Sequence, residues 1–291
     1  MTRNGPAPSA AATRPQRRVD PKLAELGNFL AERRAEVTPQ QVGLPRGAAR
    51  RVPGLRREEV AMLAGIGASW YAWIEQGRAR NVSPEILGAI ASVLRLDEAQ
   101  RLYAMRLAGY APAGRPQACP DDDLPLLLQI VDGFLPGPAY VLNPYWDVTV
   151  ANSAATRLLG LTGERPNYLE TLFLDPAAPE RLPHWEQEAA AAVAAFRVQS
   201  GDLLADARLA ALVRGLSERS ELFAALWARH LVADSGGATQ LVRHPELGEL
   251  EFTRVSMCLS GRPGMQVILL SPQFGTAQLT EQFAGLEAAR V

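Results

Sequence analysis

The stretch REEVAMLAGIGASWYAWIEQG, residues 57–77, decides the fold of the first third of the chain. Apolar side chains recur at helical spacing on both sides of Gly65, and glycine permits the left-handed backbone that a tight turn needs. Ala61 is small at the point where two helices would cross. The positions spaced to pack inward are Val60, Ile66, Tyr71 and Ile74. The pattern predicts two short helices joined by a tight turn.

Further helices are predicted on both sides of this pair. Asp20, Ser83 and Asp97 each precede a helical pattern as an N-cap, and proline follows the first two at the first helical position. The expected helices cover residues 21–36, 56–64, 69–76, 84–94 and 97–108, with a loop rich in Pro, Gly and Arg at 38–54. We therefore expect an all-α domain at 20–110, a disordered basic arm at 1–19 before it and a linker at 111–122 after it.

The pattern changes after the linker. A helix is expected at 123–134, then strands at 139–143 and 146–151, the second with Trp146, Val148 and Val150 on one face. Helices are expected at 152–159, 179–199, 202–215 and 218–230, and strands at 239–244, 248–259 and 265–271. This order predicts an α+β domain around one antiparallel sheet at 123–274, with a loose helix or tail at 275–291. The predicted fold class is multidomain, α followed by α+β.

The charge of the chain is divided between the two predicted domains. Of the 291 residues, 1–115 carry 18 Lys and Arg against 10 Asp and Glu, whereas 116–291 carry 12 against 21. A basic first part suits a polyanion, because each cation near a phosphate releases condensed counterions. The acidic second part would be repelled by the same polymer, so we expect two modules with different partners.

Composition and motifs exclude several classes of protein. Hydrophobic residues make up 47% and charged residues 21%, as in soluble globular proteins, and no apolar stretch approaches the roughly 18 residues of a membrane span. The N-terminus lacks a signal-peptide core, and Cys119 and Cys258 form neither a disulfide framework nor a metal-ligand pair. No GxSxG, phosphate-loop or paired-histidine motif occurs. We expect a cytoplasmic protein that is not an enzyme, with no membrane contact, no metal and no cofactor.

Residues 57–77 resemble the helix-turn-helix of the Xre and phage-repressor class, and Glu75-Gln76-Gly77 matches its usual second-helix ending. Residues 20–110 resemble the subgroup with an Arg-rich insertion, which reads ARRVPGLRREEV at 49–60. The resemblance implies a lambda-repressor-like domain whose second helix enters the major groove of double-stranded DNA, in a homodimer on two half-sites. The residues expected to contact DNA are Arg46, Arg50, Arg51, Arg56, Arg57, Ala68, Ser69, Trp70, Trp73, Arg78, Arg80 and Asn81.

Two of the expected contact residues differ from those usual in the Xre and phage-repressor class. Ala68 and Trp73 stand where it often has long polar side chains, so bidentate base readout is not available at these positions. Apolar contacts to thymine methyl groups, or shape readout by the arginines, would supply more of the specificity. Two alternatives stay open. Trp73 could be a core residue, and the arginines at 46–56 could form a solvated loop.

Residues 123–272 resemble the ligand-binding domain of MmyB-like transcription regulators, a PAS-like fold. The resemblance rests on PAYVLNPYWDVTVAN (138–152), NYLETLFLDP (167–176), RSELFAALWARH (219–230) and RHPELGELEF (243–252). It implies a sensor that binds a small-molecule effector, and an apolar, aromatic lining with few polar anchors is typical of such pockets. A fatty acid is the simplest amphiphilic carboxylate that would suit it.

The residues expected to contact the effector combine aromatic groups with polar anchors. They are Tyr140, Trp146, Asn152, Phe173, Trp185, Phe196, Trp227, Arg229, His230 and His244, with Arg243 as a further anchor. The rest of the expected inner surface is Leu142, Val148, Leu172, Phe223, Phe252 and Leu269.

Other interpretations of the second domain remain open. Its aromatic residues would then be simple core, His244 would cap a turn, and Arg229 would pair with an acid on its own helix. In that case the domain is a dimerisation or protein-interaction module. An enzyme acting on a lipid-like substrate is the remoter alternative.

Overall fold

The computed structural model describes residues 20–45, 52–110, 124–233 and 239–273, apart from 261 and 263. The first helices are α1 Pro21–Glu36, α2 Arg57–Leu63, α3 Ala68–Glu75, α4 Pro84–Val93 and α5 Glu98–Leu107. There follow α6 Leu124–Asp132, β1 Ala139–Leu142, β2 Val148–Ala151, α7 Ser153–Leu159, α8 Tyr168–Leu174, α9 Ala178–Arg181, α10 Trp185–Ser200, α11 Ala207–Arg219, α12 Glu221–Ala228, β3 Thr239–His244, β4 Gly248–Cys258 and β5 Gln266–Pro272. The predicted arm, linker and tail at 1–19, 111–122 and 275–291 lie outside the described residues.

The helices of the first domain begin where polar residues cap them. The side chains of Asp20, Ser83 and Asp97 each accept a hydrogen bond from a backbone N–H in the first turn of the following helix. Each cap satisfies a donor that has no partner within the helix. The five predicted helices are confirmed to within one residue at each end, and the predicted loop contains a 3₁₀ turn, Pro39–Val42, that the sequence did not indicate.

Helices α1 and α3 pack at very close range. Leu26, Phe29 and Leu30 form the buried stripe of α1, each at most 1% exposed. At Gly27 the backbones approach so closely that a Cβ would lie 2.2 Å from the carbonyl oxygen of Glu75. Only glycine allows this contact, so the backbone of α1 fixes the position of α3.

The strands form one antiparallel sheet in the order β2-β1-β5-β4-β3. Alternate residues of each strand point toward one face, where helices α7 to α12 cover a large apolar core. Helix α6 lies on the other face and buries Leu127 and Val131 against Ala139, Val141 and Val267. The predicted fold class, a helical domain followed by an α+β domain, is confirmed.

A β-bulge corrects the predicted face of one residue. Val141 pairs with Val150, but the next residue, Leu142, pairs with Val148. The extra residue reverses the alternation, since side chains in a strand alternate with a period of two. Trp146 and Val148 therefore enter the large core, whereas Val150 packs beneath α6 on the opposite face. Trp146 itself precedes the strand, in a turn with φ of 62°.

The helical layer of the second domain also departs from prediction at three places. The helix expected at 202–215 is α11, which begins only after its cap Asp206 and continues past the predicted break to Arg219, so the next helix, α12, begins at Glu221. The single helix expected at 179–199 is broken into α9 and α10, because Pro183 biases Leu182 toward the extended backbone that ends α9. Helix α8 was not predicted, although Asn167 caps it by accepting from the N–H groups of Leu169 and Glu170. Of the helices in the described ranges, none is both long and apolar enough to cross a membrane.

Candidate functional site

The turn between α2 and α3 sets the angle of the second helix. Gly65 adopts a left-handed φ of 69°, and the N–H of Ile66 donates to the carbonyl oxygen of Ala61 at 2.9 Å. Tyr71 and Ile74 turn one face of α3 into the domain, where they are at most 2% exposed. The opposite face of α3 is thereby directed to solvent.

The solvent face of α3, here called the reading face, consists of Ala68, Ser69 and Trp73. All three are exposed, and 46% of the surface of Trp73 is accessible. Trp70 is half-buried, and its ring meets that of Trp73 edge-on with centroids 6.0 Å apart. Trp73 is therefore a surface residue rather than a core residue, whereas Tyr71 belongs to the core.

Cationic side chains stand on both sides of the reading face. Arg56 precedes and Arg57 opens α2, while Arg78 and Arg80 follow α3, and these four arginines and the neutral Asn81 after them are all exposed. Asn81 holds a left-handed φ of 59°, so the chain turns sharply after the reading helix. The structure thus brings together the described members of the predicted DNA contacts. Arg46, Arg50 and Arg51 lie outside the described residues.

A buried carboxylate locks α3 to its neighbours. Glu75 Oε1 lies 2.6 Å from Arg34 Nε, and Glu75 Oε2 lies 2.5 Å from Arg57 Nε. Burial alone would raise the pKa of Glu75, but the hydrogen bonds from Arg34 and Arg57 outweigh it and lower the pKa. Glu75 thus ties α3 to α1 and α2, and about half of the Arg57 side chain remains accessible, 49%.

In the second domain, aromatic rings form a continuous chain through the core. Tyr140 stacks on Tyr168, Trp146 meets Tyr168 and Phe196 edge-on, and Phe196 contacts Trp227. Each of these ring pairs has centroids between 5.5 and 5.9 Å apart. The predicted residues Tyr140, Trp146, Phe196 and Trp227 are therefore brought together.

Two more of the predicted aromatic residues lie at the margin of this cluster. Phe173 contacts Phe223 edge-on with centroids 5.2 Å apart, and Phe223 stacks on Trp227. Trp185 is half-buried, and its Nε1 donates to the carbonyl oxygen of Leu172 at 2.8 Å.

The predicted polar anchors do not converge on the aromatic cluster. Asn152 is 1% exposed and serves the backbone, because it caps α7 and donates to the carbonyl oxygens of Val131 and Gly137. Arg243 pairs with Glu249 on the surface at 2.8 Å.

The remaining predicted anchors lie elsewhere. His244 Nδ1 accepts from backbone N–H groups in the turn that follows β3. Arg229 is exposed at the end of α12, and His230 points toward the first domain.

A small cleft lies between α7, α8 and α9. It is shallow and partly open, with a volume of about 10 Å³, and Leu159, Tyr168, Leu172 and Leu182 form its apolar wall. Arg181 stands at its rim, where its guanidinium bonds to Asp175 at 2.5 Å. Of the residues expected on the inner surface, Leu172 lines this cleft. The prediction for Leu269 is wrong, because it alternates with Ile268 and Leu270 along β5 and packs on the opposite face of the sheet, beneath α6. Within the described ranges, no group of three or more His, Cys, Asp or Glu side chains is arranged to hold a metal ion.

Both parts of the chain match known protein families. Residues 125–286, more than half of the chain, match the MmyB-like transcription regulator ligand binding domain. The chain belongs to the MmyB-like transcription regulators. Residues 25–103 of this regulator match a helix-turn-helix domain, and no curated protein matches the chain. Both matched domains are regulatory rather than catalytic, so the regulator binds DNA and carries a ligand-sensing domain.

The two domains of the regulator meet at a buried polar cluster, here called the domain junction, formed by Glu25, Tyr103, Arg197 and His230. Oε1 of Glu25 lies 2.5 Å from Arg197 Nη1, 3.0 Å from His230 Nδ1 and 3.0 Å from the Tyr103 hydroxyl that donates to it. Arg197 is 1% exposed, and its guanidinium stacks 3.9 Å from the centroid of the Trp227 ring. A member of the aromatic cluster thus touches an arginine that bonds to α1 of the helix-turn-helix domain.

Sequence reasoning missed several buried polar residues of the regulator. Glu25 and Arg197 are 172 positions apart, so no local pattern indicates that they pair. Arg254 is different, because it alternates with Leu250 and Phe252 on the inward face of β4 and is only 5% exposed. The period of the strand could therefore have shown that a cation points into the core.

Proposed function

We propose that this regulator belongs to the Xre class and reads specific duplex DNA with α3 as a homodimer. The observation that supports it is the exposed reading face, flanked on both sides by exposed arginines. Helix-turn-helix dimers place two such helices in successive major grooves about one helical turn apart. The division into domains at 20–110 and 123–274 is part of this proposal.

Each residue on this surface has a proposed role. Ala68, Ser69 and Trp73 contact base edges, with the indole of Trp73 against thymine methyl groups, and Trp70 supports that ring. The exposed arginines and Asn81 hold phosphates, and Arg46, Arg50 and Arg51 are proposed to join them from the inserted loop. Arg57 contacts a phosphate through the guanidinium N–H groups that are not bonded to Glu75.

Salt titration of binding to a duplex selected from a random pool tests this function. We expect affinity to fall steeply with salt, because phosphate contacts release counterions. Arg80→Gln should reduce the slope by about one and weaken all duplexes similarly. Arg214→Gln, which changes an exposed arginine of α11 in the sensor domain, is the matched control and should leave the slope unchanged. Salt-independent affinity of the native chain would contradict the proposal.

The second domain, proposed to be PAS-like, senses an apolar small molecule, and a fatty acid is the proposed class. The aromatic cluster and the apolar cleft beside Tyr168 support this, since both supply apolar surface with few polar groups. Binding would reach the DNA-binding domain through Trp227 and Arg197 at the domain junction. The effector must prefer one arrangement of the junction or of the dimer to shift DNA affinity.

A second candidate function is a dimerisation module without an effector. Val255 and Met257 favour it, because they lie on the outer face of β4 and are 38% and 46% exposed. Exposed apolar side chains on a sheet face are typical of an interface with another chain. The two candidates differ in one measurement, since only a sensor gains thermal stability from a small apolar ligand.

A further inference from the structure

The domain junction joins the two domains through a buried ion pair. Arg197 of α10 is 1% exposed and bonds to Glu25 of α1, and its guanidinium also donates to the carbonyl oxygen of Trp227. A purely apolar interface permits small shifts of one side along the other. A shift that separates a buried ion pair leaves both charges without compensation. The pair of Glu25 and Arg197 therefore favours one arrangement of the two domains.

Apolar contacts lie beside this ion pair. Val232 follows α12 in the sensor domain, but it is 6% exposed and packs in the hydrophobic core of the first domain. Gly201, which follows α10, lies so near the first domain that an added Cβ would be 3.4 Å from the ring of Tyr103. The sensor domain thus contributes both polar and apolar contacts to the DNA-binding domain.

The helix that receives Arg197 also positions the reading helix. Glu25 and Gly27 are two positions apart on α1, and the backbone of Gly27 contacts the last turn of α3 at Glu75. Glu75 is in turn bonded to Arg34 of the same α1. A continuous series of contacts therefore leads from the sensor domain through α1 to α3.

The reading face remains accessible while the junction is formed. Trp73 is 46% exposed and Ser69 is also exposed, so the sensor domain does not cover the surface proposed to contact bases. The junction can therefore affect DNA binding through the placement of α3 rather than through access to it. Placement matters in a dimer, because two reading helices must lie about one helical turn, roughly 34 Å, apart.

We propose that the domain junction fixes the distance between the two reading faces of the dimer, with Arg197 as the positioning residue. Two copies would be joined through their sensor domains, where Val255 and Met257 provide exposed apolar surface. Each reading face is then held at a set place relative to the contact between the copies. The junction thereby determines which spacing of half-sites the regulator accepts. This assignment rests on the proposed DNA-binding homodimer.

The test measures affinity for duplexes that differ only in half-site spacing. The half-site is taken from the duplex selected from a random pool, and it is presented once, or twice at spacings that increase by one base pair across a helical turn. Fluorescence anisotropy with the full chain gives each affinity. We expect the native chain to bind the best spacing about tenfold more tightly than spacings a few base pairs away. Each added base pair moves the second half-site by about 3.4 Å and rotates it by about 35°.

Arg197→Met should reduce this spacing preference to about twofold or less, because the two domains are no longer held in one arrangement. The affinity for the single half-site should not change, since the reading face is intact. Arg219→Met is the matched control, because Arg219 pairs with Glu170 within the sensor domain. It should keep the native preference.

A second variant covers the case in which Arg197→Met does not fold. Glu25→Met combined with Arg197→Met replaces both members of the pair with apolar side chains, so neither charge is left buried alone. We expect this double variant to fold and to lose the spacing preference in the same way.

The outcomes separate the positioning role from the DNA-binding function. A spacing preference that persists in the folded variant overturns the positioning role, and so does a native chain that binds every spacing equally. Equal loss of affinity for the single half-site and for the paired half-sites also overturns it, since Arg197 would then only support the fold of the first domain. A native chain that binds no half-site at all overturns the proposed function itself.

Discussion

Trp73 and Glu75 stand two positions apart on α3 and meet opposite environments. The Trp73 ring is directed to solvent, whereas Glu75 is 7% exposed and bonded to Arg34 and Arg57. Because 3.6 residues make one turn, positions two apart lie on nearly opposite sides of a helix. One residue is therefore available to a partner, and the other fixes the helix that presents it.

Because Trp73 is exposed, we expect its replacement to change DNA affinity but not the stability of the fold. Trp73→Ala should weaken duplex binding by about tenfold, because an apolar base contact is lost, while the thermal midpoint stays nearly unchanged. Binding is measured by fluorescence anisotropy and stability by thermal unfolding. Leu102→Ala is the control, since Leu102 is 58% exposed on α5, outside the reading face. An unchanged affinity in Trp73→Ala would remove this residue from the interface.

At the scale of elements, the contact between α1 and α3 depends on one missing side chain. Gly27 brings the α1 backbone against the last turn of α3, and the Glu75 ion pairs lie beside the same contact. Glycine normally lowers the stability of a helix. At Gly27 this loss is accepted because the missing Cβ allows the close contact with α3. The orientation of the reading helix is thus set by backbone contact as well as by charge.

Two glycine substitutions distinguish these effects. Gly27→Ala should lower the free energy of unfolding by about 1–3 kcal/mol, because the new methyl group overpacks the contact with Glu75. Gly88→Ala on α4 should instead raise it by roughly 0.5–1 kcal/mol, since a Cβ there meets no atom within 4 Å. Urea unfolding measures both. Equal effects of the two substitutions would show that the close contact has no energetic role.

At the scale of the molecule, the domain junction joins the sensor to the DNA-binding domain. The buried Glu25–Arg197 pair is supported by two further links, Lys22 with Asp202 at 2.7 Å and Arg106 with the carbonyl oxygen of Val198 at 2.8 Å. Removal of one partner from a buried ion pair leaves the other charge without compensation. We therefore expect the stability of the domain junction to depend on the ionisation of Glu25.

This dependence predicts a response to pH. Burial would raise the pKa of Glu25, but the hydrogen bond with His230 and the charge of Arg197 lower it below the ordinary value of 4.5. A lowered pKa stabilises the folded chain above pH 4.5, and the stabilisation is lost as the pH falls through the folded value.

Glu25→Gln should therefore cost about 3 kcal/mol at neutral pH and progressively less in acid. Denaturant unfolding across the pH range measures the gap between the variant and the native chain. Glu32→Gln, on the exposed face of the same helix, is the matched control and should show no gap. A gap that does not change with pH would contradict the ionic role of Glu25.

Much of the architecture could be predicted because its determinants are local. Asp20 and Pro21 begin α1, Gly65 forms the turn of the helix-turn-helix, and strand β3 occurs at its predicted residues, Thr239–His244. The surface position of Trp73 was one of two open alternatives, and burial of its helical neighbours decided it. The anchors proposed for the sensor were harder to predict, because a polar side chain has no periodicity that reveals its partner.

By itself, the sequence determined the two-domain organisation, the helices of the first domain and the charge that suits it to DNA. Caps, turns and hydrophobic periodicity act over a few residues, so they are encoded where they occur. Only the tertiary structure decided that Val150 changes face, that Glu25 pairs with Arg197, and that the Nε of Arg254 is buried with no hydrogen-bond partner among the described residues. These outcomes depend on strand register and on contacts between distant segments, which exist only once the chain has folded.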